Sequence, residues 1–487
     1  MVQKIQSILR DSKTARWAVL LCLALPMFAS YFFDDIFSTV SQIFNDPNLL
    51  ALGWNSEDYG FYGGAYSLLC VWGGLIICGA LLDKWGVRFT GTLFVGLMVA
   101  GSLIVVYSLS PMFSDSSVAN IIANLGFSKP SLILATAGCA IFGLGSEIAG
   151  VAVTKSIAKW FKGKEMALAM GLQLSLARMG TAAAMLIAPM VIARNGKIPL
   201  SESNNMAEIG LFLMIIGIAT WFVFISFDKR LDKQDAEAAA LNNAKKNDDD
   251  KFKFSDIGKI LTNKNFILIA LLCVFFYCCI ISFKRFATSI LIPRFGLEDD
   301  VASSMATLLP VAPIIFTPLF GLLVDYKGRA TQWMIIGSFI VLFSHLIVGF
   351  APNIPVFGFI SFALLGIGYS LVPAAMWQSV PKIIPENKLG TAYSLIYWVQ
   401  NVGMWLVPII IGKILTTPKP KLVWVKLNDG LIGVLKPDNE QLSRVINAEL
   451  VFIGLACIAI IVSFLLRKSS NNNPELRLDE PNKVKKK

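Results

Sequence analysis

Histidine is almost missing from this 487-residue chain: His345 stands alone, and it lies within an apolar run. A serine–histidine–acid triad, or a zinc site built on several imidazoles, therefore lacks its parts. No Gly-x-Ser-x-Gly turn and no glycine-rich phosphate loop occurs. Charged side chains are scarce as well, at 15% of residues, where soluble domains carry about 25%. All eight cysteines fall in apolar runs without metal-ligand spacing, so they read as small hydrophobes. These shortages argue against an enzyme, and no cofactor and no metal is expected.

What fills the chain is hydrophobic, at 55% of residues. It comes in runs of about 20, the length that crosses the hydrocarbon layer as a helix. Twelve such helices are predicted, at 16–44, 59–82, 89–110, 131–159, 164–193, 208–227, 264–292, 301–323, 331–350, 355–378, 390–412 and 447–467. The first run is too long for a signal-peptide core and shows no small-residue cleavage site. The expected fold class is an all-α, multi-pass membrane protein whose surroundings are the lipid bilayer.

A net charge of +11 invites a nucleic-acid reading. The placement of Lys and Arg argues against it, because they sit between the runs and at the ends rather than on one face. Counted by side, 30 of the 43 share the side of the termini and 10 lie opposite. That bias predicts cytoplasmic termini and no nucleic-acid partner. The expected division is an N-terminal six-helix bundle at 1–227, a solvated cytoplasmic linker at 228–263, a C-terminal six-helix bundle at 264–467 and a basic cytoplasmic tail at 468–487. The outside loop 413–446 reads as a small hairpin around Asn428-Asp429-Gly430. Covering the exit and binding an accessory subunit are both open readings of it.

The two halves repeat. Gly79-x-x-x-Asp83-x-x-Gly86-x-Arg88 follows the second run, and Gly321-x-x-x-Asp325-x-x-Gly328-Arg329 follows the eighth, at an offset of 242. Gly143, Gly145 and Gly180 match Gly366, Gly368 and Gly403 at an offset of 223. One insertion near 111–130 accounts for the difference. Parallel six-helix repeats are a transporter plan, with the substrate site near mid-membrane between the halves.

On these loops the chain resembles the major facilitator superfamily. The resemblance implies two pseudo-symmetric six-helix bundles that work by alternating access, and a loop charge relay that holds one conformation. The second copy departs from the pattern, since Arg329 directly follows Gly328. A narrower resemblance rests on Phe142-Gly-Leu-Gly-Ser-Glu147, Trp160-Phe-Lys-Gly-Lys-Glu165 and Gly171-Leu-Gln-Leu-Ser-Leu-Ala-Arg178-Met-Gly180. These segments are similar to the branch that contains lysosomal dipeptide carriers. That likeness implies a carrier of small zwitterions, most of all dipeptides, in which Glu147 and Arg178 hold the amine and the carboxylate.

Ionisable groups deep in a span are costly unless paired or hydrated. Glu147 and Arg178 both fall near mid-helix, flanked at helical spacing by Gly143, Gly150, Gly171 and Ser175. Small neighbours suit either a cavity wall or tight packing of an ion pair. At the 223 offset, Ser370 replaces Glu147 and Asn401 replaces Arg178. Asn401 shares its helix face with Ser394, Tyr397, Trp398 and Trp405. The expected site therefore joins Glu147 and Arg178 to a neutral wall of Ser370, Tyr397, Trp398 and Asn401.

Asp34 and Asp35 near the outer end of the first helix, with Lys284 and Arg285 in the seventh, suggest a charge contact that closes an outside gate. Snorkelling to headgroups is the other reading. His345 reads as packing, and Tyr59, Tyr62 and Tyr66 share one face of the second helix. The alternative cargo is another organic solute, an anion or a sugar, with proton coupling open. The expected transport unit is one chain. Without an acidic dileucine signal, a bacterial-type inner (plasma) membrane is expected ahead of a lysosome.

Overall fold

The computed structural model describes residues 9–38, 53–161, 166–193, 200–241, 258, 260–384, 389–416, 422–427, 430–435, 440–473 and 478–480. Among the described residues, twelve helices are long and apolar enough to cross a bilayer. They are α1 (Lys13–Asp35), α2 (Ser56–Gly79), α3 (Trp85–Leu109), α4 (Pro130–Trp160), α5 (Met166–Ala193), α6 (Leu200–Leu241), α7 (Lys264–Arg285), α8 (Asp299–Lys327), α9 (Ala330–Phe350), α10 (Pro355–Ile383), α11 (Leu389–Leu415) and α12 (Gln441–Asn472).

Local chemistry sets several boundaries. The Ser12 hydroxyl caps α1. Asn55 and Asp58 form a reciprocal capping box on α2, at 2.9 and 2.8 Å. Pro130 and Pro355 open α4 and α10, where a missing N–H costs nothing. Strands β1 (Leu422–Leu427) and β2 (Gly430–Leu435) pair antiparallel, with Leu427 opposite Gly430. The expected hairpin is therefore present, though its turn residues Asn428 and Asp429 lie outside the described residues.

Packing repeats between the halves. In the first, α1 packs on α5 and α6, α3 on α4 and α6, and α2 on α4. In the second, α7 packs on α11 and α12, α9 on α10 and α12, and α8 on α10. Adding six to each helix number converts one set into the other. The halves meet where α2 packs on α11 and α5 on α8, a pair of contacts that the same operation exchanges. These are two pseudo-symmetric six-helix bundles.

Besides shifted ends elsewhere, as in α12 (Gln441–Asn472 against 447–467), four elements differ from the sequence-based reading. Helix α1 ends at Asp35; most of its expected extension to 44 lies outside the described residues. Helix α2 is broken at Cys70–Gly74, where Gly73 takes φ +95°, a value that glycine alone adopts freely. Helix α7 stops at Arg285 and resumes as Ala287–Phe295. Helix α6 runs to Leu241, through the first part of the expected linker.

The reason for that last difference lies on the face that carries the termini. Asp228 and Asp232 are one turn apart on α6 and point at basic groups of the neighbouring helices. Lys159 of α4 binds both, at 2.8 and 2.5 Å. Arg88 reaches Asp232 at 2.9 Å, and the Trp160 indole donates to Asp228 at 3.1 Å. Charges that looked like solvated linker are thus intramolecular contacts of a continuing helix.

The motif loops sit on the same face. Gly79 lies within the helix, which continues to a kink at Gly86, whose φ of +78° makes the turn into α3; Arg88 then enters the α6 network. In the second copy, Gly321 lies on α8, and Gly328 and Arg329 both take positive φ, +66° and +57°. Crowding two left-handed residues together follows from the missing spacer, and an arginine there is disfavoured by its Cβ. The side chains of Asp83 and Asp325 lie outside the described residues.

The basic end of the expected tail, 481–487, lies outside the described residues; residues 478–480 pack on the protein. Leu478 is 1% exposed, and the Asp479 carboxylate accepts from Thr331 N and Oγ1 at 2.8 and 3.0 Å. Arg329 N–H donates to the Asp479 carbonyl at 2.7 Å, and Lys382 donates to that of Glu480 at 2.8 Å. Asp479 thereby caps α9, whose own Arg329 has no capping side chain. Asp479→Ala is expected to lower stability by about 1 kcal/mol, a typical cap. A melt of purified protein in detergent checks this, and an unshifted midpoint refutes it.

Candidate functional site

Glu147 lies on α4, 13 residues from the end at Trp160, and Arg178 on α5, 12 residues from the start at Met166. At 1.5 Å per residue both stand about 18–20 Å in from the terminal face. That count puts them at one depth, with Tyr369 and Asn401 of the second half beside them. Among the described residues they form no ion pair with each other, and each keeps open bonding capacity.

Glu147 is half-buried, and its Oε1 lies 3.2 Å from the Tyr66 hydroxyl of α2. Tyr66 also reaches Ser146 Oγ at 3.0 Å, which lies 2.6 Å from Ser30 Oγ of α1. Asn401 of α11 adjoins Glu147 from the other half. It is fully buried; its amide donates to the Tyr397 carbonyl at 3.0 Å, and its Oδ1 has no partner.

The Arg178 guanidinium sits 4.7 Å over the Tyr369 ring of α10, a cation–π contact. One of its nitrogens is buried without a hydrogen-bond partner. Tyr369 meets Tyr277 edge-on at 6.0 Å, and the Trp377 indole donates to Tyr277 at 3.1 Å. Trp377 in turn packs on Tyr397 at 5.3 Å and on Tyr393 at 5.7 Å. An aromatic wall from α7, α10 and α11 therefore faces the two charges of the first half.

Two expected members of that wall are elsewhere. The fully buried Ser370 donates to the Gly366 carbonyl of its own helix at 2.8 Å; one residue back, Tyr369 takes the facing position. The Trp398 indole donates to the Val71 carbonyl of α2 at 2.8 Å, beside the break at Gly73. That bond joins the two halves and leaves the indole N–H no capacity for a ligand. Tyr397 and Asn401 do lie beside the two charges.

The proposed gate residues come together in two pairs. Arg285 donates to Asp34 at 2.7 Å and Lys284 to Asp35 at 2.6 Å. Asp35 is 0% and Lys284 7% exposed, so neither snorkels to an interface. Asp35 also accepts from Thr181 at 2.7 Å and Ser38 at 3.2 Å. The partners belong to α1 and α7, repeat mates from opposite halves.

His345 is fully buried, its Nδ1 2.9 Å from Glu449 of α12, a packing position behind α7. Tyr59, Tyr62 and Tyr66 are buried too, so the face they share turns into the protein.

Two bundles related by an internal two-fold, with unpaired charges between them, define a membrane transporter. The family model described as the Major Facilitator Superfamily matches residues 23–408 and again 274–485, and the chain belongs to that superfamily. It is 30% identical over 409 residues to the lysosomal dipeptide transporter MFSD1 of Danio rerio, covering 82% of this chain and 80% of that one. It is 29% identical over 406 residues to MFSD1 of Homo sapiens, with the same coverage. The fold is also that of a bacterial homologue of the human lysosomal transporter Spinster, solved inward-facing and occupied. There the TM-score is 0.66 at 14% identity, covering 96% and 99% of the two chains.

Proposed function

We propose that this transporter carries dipeptides. The observation that supports this best is the placement of Glu147 and Arg178: opposite charges at one depth, not paired with each other, opposite an aromatic wall. A dipeptide zwitterion would place its amine at Glu147 and Asn401 and its carboxylate at Arg178. Its side chains would lie against Tyr277, Tyr369, Trp377 and Tyr397. The relatives named as dipeptide transporters support the same cargo. A sugar would leave both charges unmatched, and a simple anion would leave Glu147 facing like charge.

The preference for Lys and Arg on the terminal face supports cytoplasmic termini, and the absent dileucine signal supports a plasma membrane. The carrier role needs no catalytic group, and one chain supplies the whole chamber. Competition in proteoliposomes tests the cargo. A free dipeptide is expected to inhibit labelled dipeptide uptake at least tenfold better than its N-acetylated or amidated forms, because each blocked end loses one charge. Equal inhibition by a blocked form refutes the two-ended grip.

A further inference from the structure

We propose that Tyr66 is a positioning residue that ties the Asp34–Arg285 gate to the carboxylate that grips substrate, an inference that rests on the dipeptide reading. Its two faces serve two machines. The hydroxyl reaches both Glu147 Oε1 and Ser146 Oγ, at 3.2 and 3.0 Å. A phenol has one proton, so it favours one acceptor at a time. The ring carries the Arg285 guanidinium at 6.0 Å, and that guanidinium is the group bound to Asp34.

The backbone holds this arrangement in place. A Cβ on Gly143 of α4 would lie 1.9 Å from the Tyr66 carbonyl oxygen, so only glycine lets α4 close onto α2 there. That contact fixes Tyr66 one turn from Glu147. One turn before Tyr66, a Cβ on Gly63 would lie 3.2 Å from Arg285 Cδ. The arginine stem therefore rests along α2 on its way to Asp34. Three helices from both halves converge on a single phenol.

The consequence is a direct link between occupancy and gating. When a substrate amine takes Glu147, the phenol proton turns to Ser146. When α7 swings from α1, Arg285 leaves the ring and the phenol loses the cation that packs it. Each event changes the environment of the same side chain, so each biases the other.

Tyr66→Phe and Tyr66→Leu separate the two roles. For Tyr66→Phe, the half-saturating dipeptide concentration in proteoliposomes is expected to fall at least threefold, because no phenol competes with the substrate amine for Glu147, with the maximal rate lowered less than about threefold. Hydrogen–deuterium exchange across 27–35 and 280–290, with no dipeptide present, should match the parent protein. For Tyr66→Leu, the same fall in half-saturation is joined by faster exchange in both segments and a maximal rate at least tenfold lower. Identical behaviour of the two variants, or a half-saturation in Tyr66→Phe that is unchanged or raised, overturns the proposal. If the parent protein takes up no dipeptide, the cargo reading fails, and the exchange experiment alone decides: gate exchange in Tyr66→Leu equal to the parent then overturns the link.

Discussion

Arg178→Ala and Glu147→Gln are each expected to lower dipeptide uptake at least a hundredfold while the protein remains folded. A hydrogen bond to a charged group contributes about 1.5–3 kcal/mol, and at 1.4 kcal/mol per decade such a loss approaches a hundredfold. The partner charge left on the substrate, desolvated in the chamber, adds to it. Folding should survive for a reason visible in the geometry. Arg178 is not half of an ion pair, and one of its nitrogens already lacks a hydrogen-bond partner, so truncation strands no carboxylate. Glutamine at 147 still accepts from Tyr66.

Arg178→Lys sharpens the same test. It keeps the charge but not the planar fork that engages a carboxylate with two parallel bonds or lies flat on Tyr369. Uptake should fall between the parent and the alanine variant. Initial rates in proteoliposomes, with a melt to confirm folding, decide the matter. Uptake within threefold of the parent in either Arg178→Ala or Glu147→Gln removes that residue from the site.

Much of this was open to sequence reading, because burial in lipid writes itself into composition. Twelve apolar runs gave the twelve helices, and a charge inside such a run is conspicuous: Glu147, Arg178, Lys284 and Arg285 all stood out for that reason. What escaped were directions. The 223 offset correctly equated positions of the two halves, yet a repeat equates backbones, and 100° of helix separates Ser370 from the facing Tyr369. Trp398 shares a helical stripe with Asn401, but the break at Gly73 frees a carbonyl of α2 that draws its indole away. Two adjacent glycines at 73 and 74 could have signalled that break. Asp228 and Asp479 were read as solvated because their partners are distant in sequence; only packing brings Lys159 and Thr331 to them.

Reversing the proposed gate pair, Asp34 with Arg285, is the second large effect expected. Asp34→Arg alone places two guanidiniums together, and Arg285→Asp alone places two carboxylates together, where one partner is 3% exposed. Breaking a buried pair costs about 3–5 kcal/mol, because the remaining charge stays desolvated. Each single change is therefore expected to cut transport at least tenfold by destabilising the state in which α1 and α7 touch. The double reversal restores opposite charges and should recover at least fivefold over the worse single variant. The choice of pair matters. Asp35 is held by Thr181 and Ser38 besides Lys284, donors that a basic residue there could not satisfy, so reversing Asp35 with Lys284 should recover little. Asp34 lies 2.7 Å from Arg285 between α1 and α7. Crossing the pairs, Asp34 with Lys284, should also fail, since the two bonds are distinct. Recovery by the crossed pair equal to that of Asp34 with Arg285 would show a diffuse charge patch in place of two specific bonds.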